Sequence, residues 1–198
     1  PTDGNTIHLV STAALLVTEA ALVVYWATIG RMLAKIRPYL LWTAIVSGLL
    51  AVSVQALEVS HGARGLLPLL TVASFLSSAA LLGGACGAMV LGHWYLIVPS
   101  LNVSYLQSIV KLHIGSLVVR SVVVLAAVII AIVTWQPGMG PNFQRYILST
   151  GGIFFWQRVL FGLFGPGLLS YLTWETAKIQ STQSATGILY VDFFTVIV

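Results

Sequence analysis

The chain is 198 residues long, 58% hydrophobic and only 7% charged. A water-soluble domain normally carries about a quarter charged residues, so this composition excludes a domain of that class. The formal net charge of +4 does not predict a nucleic-acid partner, because the basic residues lie in loops or singly inside apolar segments and form no stripe. The composition instead predicts that most of the chain contacts a lipid bilayer.

Apolar segments long enough to cross a bilayer recur along the chain. A span needs about 20 mainly apolar residues, and a helix satisfies its own backbone polar groups in lipid. We therefore predict an all-α fold, a polytopic integral membrane helical bundle with five complete transmembrane helices and the start of a sixth. The predicted helices cover residues 7–30, 39–59, 66–98, 104–135, 146–175 and 185–198 of a single integral membrane domain, 1–198.

The ends of the chain and its first loop give two further expectations. The chain lacks an initiator Met and stops inside an apolar run, so we expect a native chain that is longer or is processed. The loop after the first span carries Arg31, Lys35 and Arg37, and positively charged loops stay on the cytoplasmic side. This pattern predicts an external N-terminus, in a bacterial inner membrane or its equivalent.

Small and helix-distorting residues mark the third and fifth spans. Gly83 and Gly87 predict close helix packing or, alternatively, room for a flat cofactor ring beside the backbone. In the fifth span, a kink or an unwound segment is predicted from Gly162, Gly165, Pro166 and Gly167. The lone Cys86 excludes an internal disulfide and a Cys-rich metal centre.

Charged residues inside predicted spans are informative, because a charge at mid-bilayer costs about 2.5–3.5 kcal/mol on insertion scales. There are six of them: Glu19, Glu58, Lys111, Arg120, Arg158 and Asp192. Glu19, halfway along the first span, is predicted to be buried, either as a catalytic proton-relay carboxylate or as a hydrogen-bonded structural acid. Arg120 and Arg158 need a carboxylate, a carbonyl or an anionic ligand group such as a lipid phosphate or a haem propionate. A structural pair with Glu19 or with backbone carbonyls is the alternative for both.

The four histidines divide into two pairs, one towards each membrane surface. His8 and His61 lie at the predicted outer ends of the first two spans, and His93 and His113 lie towards the inner surface. Two axial-ligand pairs could hold two b-type haems and pass electrons across a membrane. His93 and His113 are the predicted metal ligands, while His8 and His61 are either cofactor ligands or ordinary interfacial residues.

The segment Gly92-His93-Trp94-Tyr95 is the strongest local cluster of functional side chains. It combines an imidazole with two aromatic rings near a helix end, which suits a quinone headgroup that needs hydrogen bonds and ring stacking. It also suits a haem, and the alternative is an aromatic belt at the membrane interface. The cluster predicts a cofactor site of His93, Trp94 and Tyr95, with His113 nearby.

These residues favour an integral membrane subunit of a respiratory or photosynthetic electron-transfer complex. Short loops leave little mass outside the membrane, so the expected partners are the lipid bilayer and other membrane and peripheral subunits. Any enzymatic role would be that of a quinone-interacting subunit of an oxidoreductase. A small-solute or proton transporter and a purely structural membrane subunit are the alternatives.

Overall fold

The computed structural model describes residues 2–30, 34–63, 65–98, 100–136 and 142–197. Arg31 of the basic loop and Val198 of the last span lie outside these ranges. The described residues form helices joined by turns, and five of these helices are long and apolar enough to cross a membrane. The predicted all-α transmembrane fold is therefore confirmed. The five spans are Thr6–Ala27, Ala34–Val59, Leu67–Ile97, Val103–Val133 and Gly152–Lys178.

The chain divides into two compact units, Pro1–Leu76 and Ser77–Val198. The first contains α1 (Thr2–Ala27), a short 3-10 turn (Ala34–Ile36), α2 (Arg37–Val59) and the start of α3 (Leu67–Ile97). The second contains the rest of α3, α4 (Val103–Val133), α5 (Phe143–Ile147), α6 (Gly152–Val159), a π-helical segment (Leu160–Phe164), α7 (Gly165–Lys178) and α8 (Thr182–Ile197).

In the first unit, α1 and α2 form an antiparallel hairpin with a seam of small side chains. Thr18 Oγ1 lies 2.8 Å from Ser47 Oγ, and Arg37 donates a hydrogen bond to the carbonyl of Thr28 at the closed end. Small residues let helix backbones approach closely in a membrane, where hydrogen bonds between hydroxyls then add to the packing. The buried residues of this seam are Ser11, Ala14, Ala21, Thr28, Ala44, Ala51 and Ala56.

In the second unit, α3, α4, α7 and α8 pack around a small core. Gly167 of α7 faces Leu117 of α4, whose Cδ2 would lie 3.5 Å from a Cβ at position 167. Near the end where α4 begins, the Nζ atoms of Lys111 and Lys178 lie 5.1 and 5.5 Å from the Trp174 ring centroid. Such contacts keep ammonium groups beside an aromatic ring at the helix ends. The buried core residues are Ala88, Tyr95, Leu106, Val110, Ala177, Ala185 and Leu189.

The fifth span differs from the predicted helix over 146–175. The chain first forms the short helix α5, turns at Ser149–Gly151 and starts the continuous helix at Gly152. A Cβ at position 152 would lie 2.5 Å from the carbonyl oxygen of Ile147, so this tight turn requires glycine. The predicted distortion before Pro166 takes the form of the π-helical segment, and the helix continues through it.

Candidate functional site

The centre of the second unit holds a buried pair of ionisable side chains, His113 on α4 and Asp192 on α8. His113 Nε2 lies 2.8 Å from Asp192 Oδ2, and the side chains are 1% and 0% exposed. The distance is that of an ion pair, although neither atom makes a well-directed hydrogen bond within the described residues. Because an unpaired buried charge is costly, the two groups compensate each other through this contact.

Gly84 allows His113 to lie between the helices. A Cβ at position 84 would lie 3.1 Å from His113 Nδ1 and 3.4 Å from its Cα, whereas the space at Gly83 is open. Gly87 also packs closely, with Ile109 Cδ1 3.2 Å from a Cβ at that position. The predicted close packing of α3 therefore uses Gly84 and Gly87, and the glycine at 84 positions the imidazole.

A buried hydroxyl on α7 lies at the same level of the bundle as this pair. α4 and α7 run antiparallel and meet where Lys111 contacts Trp174. Gly167 of α7 faces Leu117 of α4, and from this contact Ser170 and His113 each lie about one helical turn away in the same direction. Ser170 Oγ is buried and makes no hydrogen bond within the described residues. Three helices thus bring polar groups to one level of an apolar core.

The second predicted histidine, His93, also has its partner on α8. Its Nδ1 lies 2.9 Å from the hydroxyl of Tyr190, and its side chain is exposed. Trp94 beside it is 53% exposed. Tyr190 and Asp192 lie two residues apart, so a single turn of α8 supplies a partner to each of the two predicted inner histidines.

Tyr95 is separated from this surface and joins α3 to α4. Its side chain is 2% exposed, its hydroxyl donates to the Asn102 carbonyl and it accepts from the Leu106 N–H at 3.3 Å. Asn102 also caps α4, because its side chain accepts from the Ser104 N–H. The first N–H groups of a helix have no partner inside the helix, so Tyr95 and Asn102 stabilise the start of α4. Of the predicted cluster, His93 and Trp94 remain exposed.

Replacing Tyr95 with phenylalanine is expected to lower the free energy of unfolding by about 1–3 kcal/mol, because buried partners lose the hydroxyl. Thermal unfolding in detergent measures the effect. Tyr105→Phe is the matched control, since Tyr105 is 61% exposed. Equal destabilisation by both substitutions would contradict the structural role of the Tyr95 hydroxyl.

Arg120, one of the two predicted arginines, links α4 to α3. Arg120 is partly buried and its Nη1 lies 3.4 Å from Ser77 Oγ. The Arg158 side chain is exposed, which differs from the expected deep burial.

The remaining predicted site residues lie in the first unit. His8 Nε2 lies 3.0 Å from Glu58 Oε1 at the open end of the α1–α2 hairpin, and His61 is exposed in the turn after α2. Glu19 was expected to be buried, but its side chain is exposed. The small-residue seam of α1 includes Thr18, and Glu19 points to a different side of that helix. Cofactor ligation by His8 and His61 and proton transfer by Glu19 stay predictions.

Two residues of the site, Tyr190 and Asp192, were not assigned partners from the sequence. A buried acid and a buried histidine in separate spans are expected to pair, which was a usable signal for Asp192 and His113. Tyr190 carried no such signal, because tyrosines near helix ends also form the interfacial belt. The described residues contain no group of three or more His, Cys, Asp or Glu that could hold a metal ion.

The fold and these contacts define an integral membrane protein, a bundle of transmembrane helices with a buried histidine–aspartate contact in its second unit. Comparison with protein-family models, curated proteins and solved structures finds no match. The spanning helices imply contact with lipid. Any assignment of function therefore rests on the chemistry of the residues themselves.

Proposed function

We propose that this protein is an integral membrane subunit of a respiratory or photosynthetic electron-transfer complex, and that it provides a quinone site beside His93. The contact between His93 Nδ1 and the Tyr190 hydroxyl, 2.9 Å long, carries this proposal. When the hydroxyl donates to Nδ1, the neutral imidazole holds its proton on Nε2. A quinone carbonyl oxygen accepts a hydrogen bond from such an N–H.

The tryptophan next to His93 supports a ring-shaped ligand. Trp94 is 53% exposed near the end of α3, where aromatic rings lie at headgroup level. An indole face at that depth can stack in an offset arrangement on a quinone ring while His93 holds the carbonyl. The two exposed side chains therefore offer the two interactions that a quinone headgroup requires.

The neighbouring buried pair supports the proton chemistry of quinone reduction. Reduction of a quinone to a quinol takes up two electrons and two protons, and the electrons would come from a redox cofactor of a partner subunit. His93 would donate a proton from Nε2 and regain one through Tyr190. One turn of α8 joins Tyr190 to Asp192, whose contact with His113 provides a second protonatable pair behind the surface.

The contacts of His113 favour a quinone over a b-type haem held by His93 and His113. Its Nε2 lies 2.8 Å from Asp192 Oδ2, and its Nδ1 packs against Gly84. Iron ligation through either nitrogen would require this ring to leave its partner or its packing contact. A quinone at His93 needs no such rearrangement.

Replacing His93 with alanine is expected to weaken the binding of a short-chain quinone about tenfold, since loss of about 1.4 kcal/mol changes affinity by that factor. Tyr190→Phe keeps the ring and should weaken binding less. Tryptophan fluorescence of the purified protein with its co-purifying partners follows the quinone titration. The oxidised and dithionite-reduced visible spectra of the same sample report any haem.

His61→Ala is the matched control for this experiment, because His61 is another exposed histidine near a helix end. Unchanged quinone affinity in the His93→Ala variant contradicts the quinone site. A haem absorption band that disappears in both His93→Ala and His113→Ala would instead support bis-histidine ligation.

Proton transport is the second candidate, and the buried His113–Asp192 pair favours it. Ionisable residues inside membrane spans often form proton relays, and this pair has a buried hydroxyl, Ser170, at its level. Proton flux into vesicles containing the purified protein, without any quinone, distinguishes this candidate. Flux that is lost in the Asp192→Asn variant would support transport.

A further inference from the structure

Glu19 is an exposed acid inside the membrane span of α1. It lies about 12 Å along the helix axis from Ala27, the last residue of this span. Among the described residues, none forms a hydrogen bond or an ion pair with its carboxyl group. A polar group at this depth is costly unless it contacts another polar group, so Glu19 indicates a side of α1 where a further polar group binds.

Glu19 belongs to a stripe of exposed residues on the side of α1 that faces away from α2. The buried seam of α1, which includes Thr18, contacts α2, and the stripe is rotated from this seam by about 150°. Its positions recur at alternating intervals of three and four residues, the repeat with which two parallel helices pack along their length. The members of this Glu19 stripe are Leu9, Thr12, Leu16, Glu19, Val23 and Trp26.

The carboxyl group, and not the apolar part of the stripe, indicates a contact with another helix. Leu16, Val23 and Trp26 are 60%, 62% and 74% exposed, but apolar side chains are also what a helix presents to acyl chains. A carboxyl group has no hydrogen-bond partner among acyl chains. Helices that carry a polar residue inside the membrane associate through a hydrogen bond between them and through packing of the surrounding side chains.

A second copy of the chain is the partner that matches this stripe. Copies inserted in the same direction are related by a two-fold axis normal to the bilayer, and this axis places every residue at the same depth in both copies. Glu19 of one copy therefore lies at the depth of Glu19 of the other. A protonated carboxyl group donates a hydrogen bond and a carboxylate accepts one, so two glutamates complement each other when they share a proton.

We propose that the Glu19 stripe is the interface of a parallel homodimer, in which the two α1 helices pack along the stripe and the two Glu19 carboxyl groups share a hydrogen bond. Leu16 and Val23, about one helical turn before and after Glu19, shield this hydrogen bond. The proposal does not depend on the quinone function, because the stripe lies in the first unit and His93 lies in the second.

Energy transfer between copies of the full chain, labelled at the N-terminus with a donor or an acceptor, measures the dimer affinity as the protein is diluted in phosphatidylcholine vesicles. We expect dimers of the unsubstituted protein and about tenfold weaker dimerisation of the Glu19→Leu variant, the usual effect of losing a hydrogen bond between membrane helices. Glu19→Gln should dimerise like the unsubstituted protein, because two side-chain amides also form hydrogen bonds with each other.

Disulfide cross-linking in a Cys86→Ala background, which removes the one native cysteine, identifies the side of α1 that contacts the other copy. Val23→Cys, on the stripe, should form a covalent dimer under mild oxidation. Val24→Cys is the matched control, because Val24 is also exposed but lies about 100° away around the helix. We expect Val24→Cys to remain largely monomeric on a non-reducing gel.

A lack of energy transfer at every dilution would overturn the proposal, and so would equal dimerisation of the unsubstituted protein and the Glu19→Leu variant. Equal cross-linking through positions 23 and 24 would place the contact outside the stripe and also reject it. Glu19→Gln dimers as weak as those of Glu19→Leu would mean that Glu19 contacts a cation and not a second carboxyl group. Circular dichroism of each variant tests whether its helix content is unchanged.

Discussion

Replacing Asp192 with leucine is expected to lower the free energy of unfolding by about 3–5 kcal/mol, the typical effect of removing one partner of a buried ion pair. The substitution leaves the His113 imidazole in an apolar core, where its polar atoms have neither water nor a carboxylate. Unfolding of the purified protein in detergent, followed by circular dichroism during an SDS titration, measures the change.

An exposed ion pair provides the control for this substitution. Glu175 and Lys178 lie 2.7 Å apart with side chains 44% and 47% exposed. Removing such a pair changes stability by only about 0–1 kcal/mol, so Glu175→Gln should have little effect. The double variant with leucine at positions 113 and 192 should regain most of the lost stability, because two apolar side chains of suitable size can replace a buried pair. If Asp192→Leu alone unfolds like the unsubstituted protein, the pair contributes no stability.

The second large effect is expected at Gly84. Leucine at this position should destabilise the protein by about 3 kcal/mol, the upper part of the usual range for overpacking. A Cβ at position 84 would already lie 3.1 Å from His113 Nδ1 and 3.4 Å from the His113 backbone, so α3 and α4 must separate. The same SDS titration measures this loss.

The neighbouring glycine makes a direct control. A Cβ at Gly83 meets no atom within 4 Å, so Gly83→Leu should change stability by no more than about 0.5 kcal/mol. The two variants have the same composition and differ only in which side of α3 carries the new side chain. Similar destabilisation by both would show that the loss does not come from the contact with His113, since leucine is a better helix former than glycine at either position.

The fold could be predicted from the sequence because a bilayer restricts which backbone structures can cross it. Inside a bilayer, the backbone N–H and C=O groups find hydrogen-bond partners only in helices or closed barrels. The apolar runs of this chain are too long for barrel strands. The structure confirms five spans. The start of the fifth was placed too early, because the turn before Gly152 depends on a contact with the Ile147 carbonyl that no composition reveals.

The site was only partly predictable because residue type indicates chemistry but not partners. His93 and His113 were recognised as candidates, but their partners lie about 80 to 100 residues later on α8, and one sequence contains no contact information. Adjacent residues such as Gly83 and Gly84 differ by about 100° around a helix, so only the packing shows which one matters. The same reasoning applies to Glu19, which lies beside the seam residue Thr18 but points elsewhere.

The π-helical segment Leu160–Phe164 determines on which side of the fifth span Arg158 lies. A π turn contains one residue more than an α turn, so this segment corresponds to an α-helix with one inserted residue. Deleting Gly162 would restore α-helical winding and rotate α6 by about 100° relative to α7. Arg158 would then move to another side of the helix, while Ser170 would keep its place. Deletion of a single residue would therefore move the guanidinium group to another side of this span, with every other residue unchanged.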